Sequence, residues 1–283
     1  MSWWCSATGD PWTWAWRAYP GVWLFVLGLA GLYVRFAWQR DPAPSEAWRR
    51  PVGGLGLLLA WGMLDWPVGP LGAGYFASIH AAQFLVLAFI VPPVLLVGVD
   101  PRRWARLAAS PARRALQVPT HPLIAAAGFN LVVLVTHVPG VVDRAMASQL
   151  GAFAIDAAWL ASGLWFWWPI VAPVPARRGG ALARIGYLFA GSLIHTGLGM
   201  WLLLSPRPVY GVYELAPPVA GRSPMADQAM AGGLMELVGG LIILAAIAVL
   251  FFSWARAEAD DRRPAPRPGG VGRLEQADRR PSA

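Results

Sequence analysis

Seven stretches of the chain approach the roughly 20 mostly apolar residues that a helix needs to cross a membrane. They lie at about residues 21–38, 52–67, 75–98, 122–138, 151–171, 184–205 and 227–254. Backbone groups inside a bilayer must be hydrogen-bonded within the protein, which at this segment length requires helices. Because 57% of the residues are apolar and only 13% are charged, we predict an all-α polytopic transmembrane bundle of about seven helices.

The basic residues predict how this bundle is oriented. All 23 are arginine, and 19 of them fall in the loops after the first, third and fifth stretches and in the C-terminal tail. Since Lys and Arg are enriched in cytoplasmic loops, the N-terminus is predicted outside and the C-terminus in the cytoplasm. The net charge of +8 is therefore interpreted as a topology signal and not as a sign of nucleic-acid binding.

The same pattern divides the chain into three segments: a Trp-rich extracytoplasmic segment at 1–20, a transmembrane domain at 21–255 and a disordered basic cytoplasmic tail at 256–283. The single cysteine, Cys5, excludes an intramolecular disulfide and a Cys-based metal site. Five tryptophans of the first segment are expected to anchor it at the outer membrane surface: Trp3, Trp4, Trp12, Trp14 and Trp16.

Polar side chains inside the apolar stretches gather in the half predicted to face outward. Such groups are costly in a bilayer and indicate function by default. Imidazole binds copper, zinc and iron, and thioether favours Cu(I), so we predict an outward-opening copper site. An alternative left open is that the histidines hydrogen-bond between helices while the methionines fill irregular packing. The candidate metal ligands are His80, His137, His195, Glu236, Asp156, Met200, Met230 and Met235.

Two sets of residues spaced by four predict which helices pack together. Each set places one polar side chain between two glycines on a single helix face, where a neighbouring helix can approach closely. The sixth and seventh stretches should therefore pack on each other with His195 facing Glu236. The sets are Gly191, His195 and Gly199 in the sixth stretch, and Gly232, Glu236 and Gly240 in the seventh, with Gly233 and Gly239 beside them.

Five motifs, in order over about residues 20–255, resemble the caa3-type cytochrome c oxidase assembly factor family, also called CtaG. They are His80-Ala-Ala-Gln83 followed by an apolar run to Ala-Phe-Ile-Val-Pro-Pro-Val-Leu-Leu, Thr136-His137-Val-Pro139, Trp165-Phe-Trp-Trp-Pro169-Ile, His195-Thr-Gly-Leu-Gly with Leu204-Ser-Pro-Arg-Pro-Val-Tyr210, and Asp227-Gln228 followed by Ala-Gly-Gly-Leu-Met235.

The resemblance implies a seven-helix protein of the bacterial plasma membrane that helps to mature a haem-copper oxidase, handling copper on the outer face and performing no catalysis. Its expected partners are the oxidase subunits and membrane lipid. The chain departs from the family at three positions. Phe84 stands where members often have a second histidine, Asp156 where they tend to have a histidine, and Glu236 where they usually have a tryptophan.

Two other functions remain open from the sequence. A transporter could relay protons or a metal through His195 and Glu236. A haem-b redox protein could ligate its haem through His80 and His195. A retinal-binding protein is excluded, because Schiff-base chemistry needs a lysine and the chain has none.

Overall fold

The computed structural model describes residues 2–38, 43–174 and 179–262, and within these ranges it contains helices and no strand. The helices are α1 (Pro20–Ala37), α2 (Arg49–Leu64), α3 (Val68–Gly74), α4 (Ala77–Val97), α5 (Pro101–Ala109), α6 (Ala112–Leu116), α7 (Pro122–Thr136), α8 (Pro139–Met146), α9 (Gln149–Val171), α10 (Ala181–Leu204), α11 (Gly211–Glu214) and α12 (Pro224–Asp261).

Five of these helices, α1, α4, α9, α10 and α12, are long and apolar enough to cross a membrane. Two bent pairs raise the number to seven if each is one span. The chain turns by 49° between α2 and α3 and by 71° between α7 and α8. These are the two shortest predicted stretches, and the α7–α8 break falls at Pro139, whose ring cannot continue a helix. The all-helical fold of about seven spans is confirmed.

Helix α4 is the centre of the bundle and packs against α2, α9 and α12. Of its apolar window 67% is buried, compared with 17% for α1. A π-helical turn, Val86–Ile90, lies just before Pro92 and Pro93. Because prolines have no N–H, the carbonyls one turn earlier lose their usual donors. Gly163 of α9 lies close to one of them, since a Cβ on this glycine would lie 2.5 Å from Ala88 O.

The short helices distinguish the two ends of the bundle. At one end, here called the arginine-rich end, α5 and α6 carry five arginines between the end of α4 and the start of α7. At the other, the tryptophan-rich end, residues 2–19 and helices α3, α8 and α11 cover the bundle. The last helix continues to Asp261, and positions 263–283 of the predicted tail lie outside the described residues.

The N-terminal segment is docked on the protein. Both Trp3 N and Trp4 N donate to Gln149 Oε1, at 2.6 and 3.2 Å, and Ala7 N donates to Met146 O at 2.8 Å. Trp14 is 67% exposed, as a surface anchor should be, but Trp4 is only 1% exposed. Trp4 therefore departs from the predicted set of anchors, because its indole fills a gap between helices.

The orientation of the bundle remains a prediction from the arginines, and it can be measured. Reporter fusions after Arg114 and Arg256 should report cytoplasm, and fusions near Gly72, Ala145 and Val219 should report the outside. The reason is that 19 of 23 arginines lie on one side of the predicted spans. A C-terminus that reports the outside, or an even number of spans, would contradict it.

Candidate functional site

Two of the candidate histidines meet at one tryptophan near the tryptophan-rich end. His80, on the first turn of α4, is 7% exposed, and its ring centroid lies 4.7 Å from that of Trp159. His137 follows the last residue of α7, is 6% exposed, and lies 6.1 Å from the same ring. The Trp159 indole N–H donates to Thr136 Oγ1 at 3.0 Å. These contacts bring α4, α7 and α9 together around Trp159.

The hydrogen bonds of these two histidines differ. His137 Nδ1 lies 2.8 Å from Val133 O on its own helix, so this nitrogen is occupied locally. His80 Nε2 is buried and has no hydrogen-bond partner among the described residues. An unsatisfied polar atom in an apolar interior is unfavourable by about 1–3 kcal/mol. His80 is therefore a better candidate than His137 to coordinate a metal ion.

His195 lies apart from that pair, deeper in the bundle on α10. It is 1% exposed, and neither ring nitrogen makes a well-formed hydrogen bond in the described part of the chain, although the backbone of Ser192, one turn earlier, interacts with the ring. Its ring packs on Phe89 with a centroid distance of 4.9 Å. On its other side, a Cβ on Gly239 would lie 2.8 Å from His195 Nε2. The imidazole is therefore enclosed, with no well-formed hydrogen bond at either nitrogen.

Both π-helical turns of the described chain contact His195. Phe89 belongs to the turn in α4, and Gly239 belongs to the second turn, Met235–Gly239, in α12. Such turns occur mostly singly within α-helices and frequently at functional sites. Their meeting at one buried imidazole is the feature of this region that the sequence did not predict.

The three histidines do not form one preformed metal site. Over the described ranges, no group of three or more His, Cys, Asp or Glu side chains is arranged to hold a metal ion. The path of contacts from His137 to His195 runs through Phe84 and Phe89, whose side chains are fully buried. Phe84 is the position at which the resemblance led us to expect a second histidine, and an apolar ring occupies it. The single outward-opening site predicted from shared depth is therefore not assembled.

At the tryptophan-rich end, two tyrosines cover His80 and His137. The ring of Tyr213 in α11 lies 5.8 Å from that of His80, and its hydroxyl donates to Gly72 O at 2.7 Å. The Tyr210 hydroxyl donates to His137 O at 3.2 Å. Burial raises the pKa of both phenols, so they stay neutral donors. We call Tyr210 and Tyr213 the tyrosine cover, which the sequence did not predict.

Asp156 accepts a hydrogen bond from the N-terminal segment. Its Oδ2 accepts the indole N–H of Trp4 at 2.9 Å. Because the N-terminal segment supplies this donor, the carboxylate is directed at residues 2–19. Its role as a ligand stays a prediction, and its observed role is to hold the N-terminal segment.

The predicted packing of α10 on α12 is present, with a shifted register. A Cβ on Gly232 would lie 2.6 Å from Gly199 O, so the two backbones are in close contact. Gly239, not Gly240, meets His195, and Gly233 and Gly240 have open space around them. A π-helical turn contains more residues than an α-helical turn. Residues spaced by four across Met235–Gly239 therefore do not all lie on the same face of α12.

Glu236 and the three candidate methionines differ in how deeply they are buried. Glu236 Oε1 is buried without a hydrogen-bond partner among the described side chains and backbone, and a Cβ on Gly199 would lie 2.6 Å from it. Gly199 is one turn from His195, so both polar groups lie in the α10–α12 interface. Met235 is fully buried, but Met200 and Met230 are 43% and 45% exposed. The thioethers of these two methionines are thus not enclosed with the histidines.

The fold defines a multi-pass helical membrane protein in which His80 and His137 are buried near the tryptophan-rich end and His195 is buried deeper in the bundle. The chain belongs to the cytochrome c oxidase caa3 assembly factor family (Caa3_CtaG), whose model matches residues 23–257. This match confirms the resemblance seen in the motifs. No curated protein and no solved structure matches the chain.

Proposed function

We propose that this assembly factor handles copper for a haem-copper oxidase on the extracytoplasmic side of the bacterial plasma membrane. The observation that supports it best is His195, a buried imidazole without a well-formed hydrogen bond, in the same α10–α12 interface as Glu236, whose Oε1 is also buried without a partner among the described residues. Imidazole is a good copper ligand, and a polar group kept without a partner in an apolar interior is expected to serve a bound species.

Copper would be cargo in this proposal, held for transfer and not used in catalysis. A transiently bound Cu(I) ion needs fewer ligands than a structural zinc ion, so the absence of a three-ligand group in the described chain is compatible with it. His195 and Glu236 are the primary positions, and His80 Nε2 is a second, separate one. The oxidase subunits would receive the metal, and the protein itself would perform no chemical conversion.

Access to His80 and His137 requires the tyrosine cover to move. The loop that carries it is fastened by side chains at both ends: Val212 N donates to Asp143 Oδ1 at 3.0 Å, and Val209 N donates to Gln228 Oε1 at 2.7 Å. Together with the hydrogen bonds of the two tyrosine hydroxyls, these contacts hold the loop over His80 and His137. We propose that binding of the oxidase displaces this loop and thereby exposes the histidines.

Copper binding tests the proposal directly. Purified protein in lipid nanodiscs should compete with a chromogenic Cu(I) chelator, and His195→Ala should weaken Cu(I) binding by about tenfold or more, since even the loss of an outer-shell group at a metal site costs about 10–100-fold. Activity of the oxidase in membranes that contain only the variant should fall in parallel.

His121→Asn is the matched control. His121 Nδ1 accepts Leu123 N at the start of α7, and asparagine keeps such a cap. This variant should therefore bind Cu(I) as the wild type does. Equal Cu(I) affinity in the wild type and His195→Ala would contradict the assignment of His195, and a Soret band with stoichiometric haem in the purified protein would favour the haem-b alternative.

A further inference from the structure

A second site lies at the arginine-rich end, the opposite end from His80 and His137. A cavity of about 550 Å³ is formed by the last turns of α1, the end of α4, the amphipathic helix α5 and the last part of α9. We call it the α1–α5 groove. Its walls are apolar and include Leu32, Phe36, Leu96, Leu107, Leu164 and Trp168. Nothing in the copper proposal uses this groove.

The shape of the groove fits a hydrocarbon chain. Its lining extends along α1 from Leu29 to Phe36, which spans about 10 Å at the rise of an α-helix. Leu32 and Phe36 are 59% and 63% exposed within the protein, so the groove opens on the lipid-facing side of α1. An acyl chain lying along α1 would cover these apolar surfaces.

One end of the groove is charged. Arg103 and Arg106, three residues apart on α5, belong to its lining. Helix α5 is held against the end of α1, because Asp100 N donates to Ala37 O at 3.0 Å and Arg103 Nη2 donates to Trp38 O at 2.7 Å. The Arg103 guanidinium is thus fixed where the last turn of α1 ends, which is the level of the lipid headgroups if α1 spans the bilayer.

A neighbouring groove of similar size differs from the α1–α5 groove in having no charged residue in its lining. On the other side of Trp168, a cavity of about 500 Å³ lies between α7 and α9 and includes Leu116, Thr120 and Ala161 in its lining. None of the residues that line this α7–α9 groove is charged. Two grooves of similar size therefore differ in whether arginine lies at one end.

We propose that the α1–α5 groove binds an anionic phospholipid, with an acyl chain along α1 and the phosphate at Arg103 and Arg106. Basic pockets at the membrane surface bind anionic headgroups through charge attraction and guanidinium–phosphate hydrogen bonds. The bound lipid would hold α1, of whose apolar window only 17% is buried, against α5 and α9. This inference is independent of the copper proposal, because it uses none of the same residues.

Native mass spectrometry of the full chain tests this inference, with phosphatidylglycerol and phosphatidylcholine of identical acyl chains as probes. The wild type should retain phosphatidylglycerol in preference to phosphatidylcholine. Arg106→Gln should lower phosphatidylglycerol retention about fivefold, equal to about 1 kcal/mol for one arginine near an anionic lipid. Leu32→Trp, which fills the groove, should lower retention of both lipids.

Two control variants match these changes. Arg113→Gln removes one arginine from the same connection but lies outside the lining of the α1–α5 groove, and Ala161→Trp fills the α7–α9 groove. Both should retain phosphatidylglycerol as the wild type does. The proposal is overturned if Arg113→Gln lowers retention as much as Arg106→Gln, if the two lipids bind equally, if Leu32→Trp changes nothing, or if a second copy of the chain or another protein occupies the groove.

Discussion

Replacing Trp4 with alanine is expected to destabilise the protein strongly and to expose Cys5. The Trp4 indole is 1% exposed, packs on Phe25 and Phe153 at centroid distances of 5.7 and 4.9 Å, and donates to Asp156. Truncation of a buried tryptophan costs about 3–5 kcal/mol. It would also leave a buried carboxylate without its donor, which adds to the loss.

Labelling of Cys5 would measure whether the N-terminal segment has detached, because Cys5 is the only cysteine of the chain. It is 3% exposed, and its thiol donates to Leu64 O at 3.3 Å. Burial, with the negative charges of Asp156 and Asp65, raises the pKa of the thiol well above its ordinary value, so the unreactive thiol form dominates at neutral pH. In the wild type, a maleimide should label Cys5 only after denaturation.

In Trp4→Ala, we expect rapid labelling of Cys5 under native conditions, increasing with pH as the thiol returns toward its ordinary pKa. The midpoint of thermal unfolding should fall by roughly 10 °C. Trp14→Ala is the control, because Trp14 is 67% exposed and should leave both readouts near those of the wild type. Unchanged labelling in Trp4→Ala would show that the N-terminal segment is held without this anchor.

Gly232→Ala is expected to force α10 and α12 apart. A Cβ at this position would lie 2.6 Å from both Gly199 O and Leu203 N, which are backbone atoms and cannot rotate away. Such overpacking costs about 1–3 kcal/mol. Since His195 and Glu236 lie in the same interface, the variant should lose Cu(I) affinity as well as thermal stability.

The adjacent residue supplies the control. A Cβ on Gly233 would meet nothing within 4 Å, and alanine favours a helix by up to about 1 kcal/mol over glycine. Gly233→Ala should therefore be neutral or slightly stabilising in the same thermal assay. If both substitutions behaved alike, the close approach of Gly232 to α10 would not be a feature of the protein in solution.

The sequence by itself determined the class of fold and the family. Apolar length sets the number of spans, because only a helix of about 20 residues satisfies its backbone across a bilayer, and the two shortest stretches became the two bent pairs. The motifs around His80, His137 and His195 carried the family resemblance that the match over residues 23–257 confirmed. Glycine spacing identified the pairing of α10 with α12.

Tertiary structure alone decided which polar groups meet. Depth along a helix follows from residue number, but rotation and lateral position depend on packing, and two π turns changed that rotation near His195. The Asp156 carboxylate accepts a hydrogen bond from Trp4, Phe84 and Phe89 lie between His137 and His195, and the tyrosine cover lies over His80 and His137. Each of these contacts joins residues that are distant along the chain, so no local pattern could specify them.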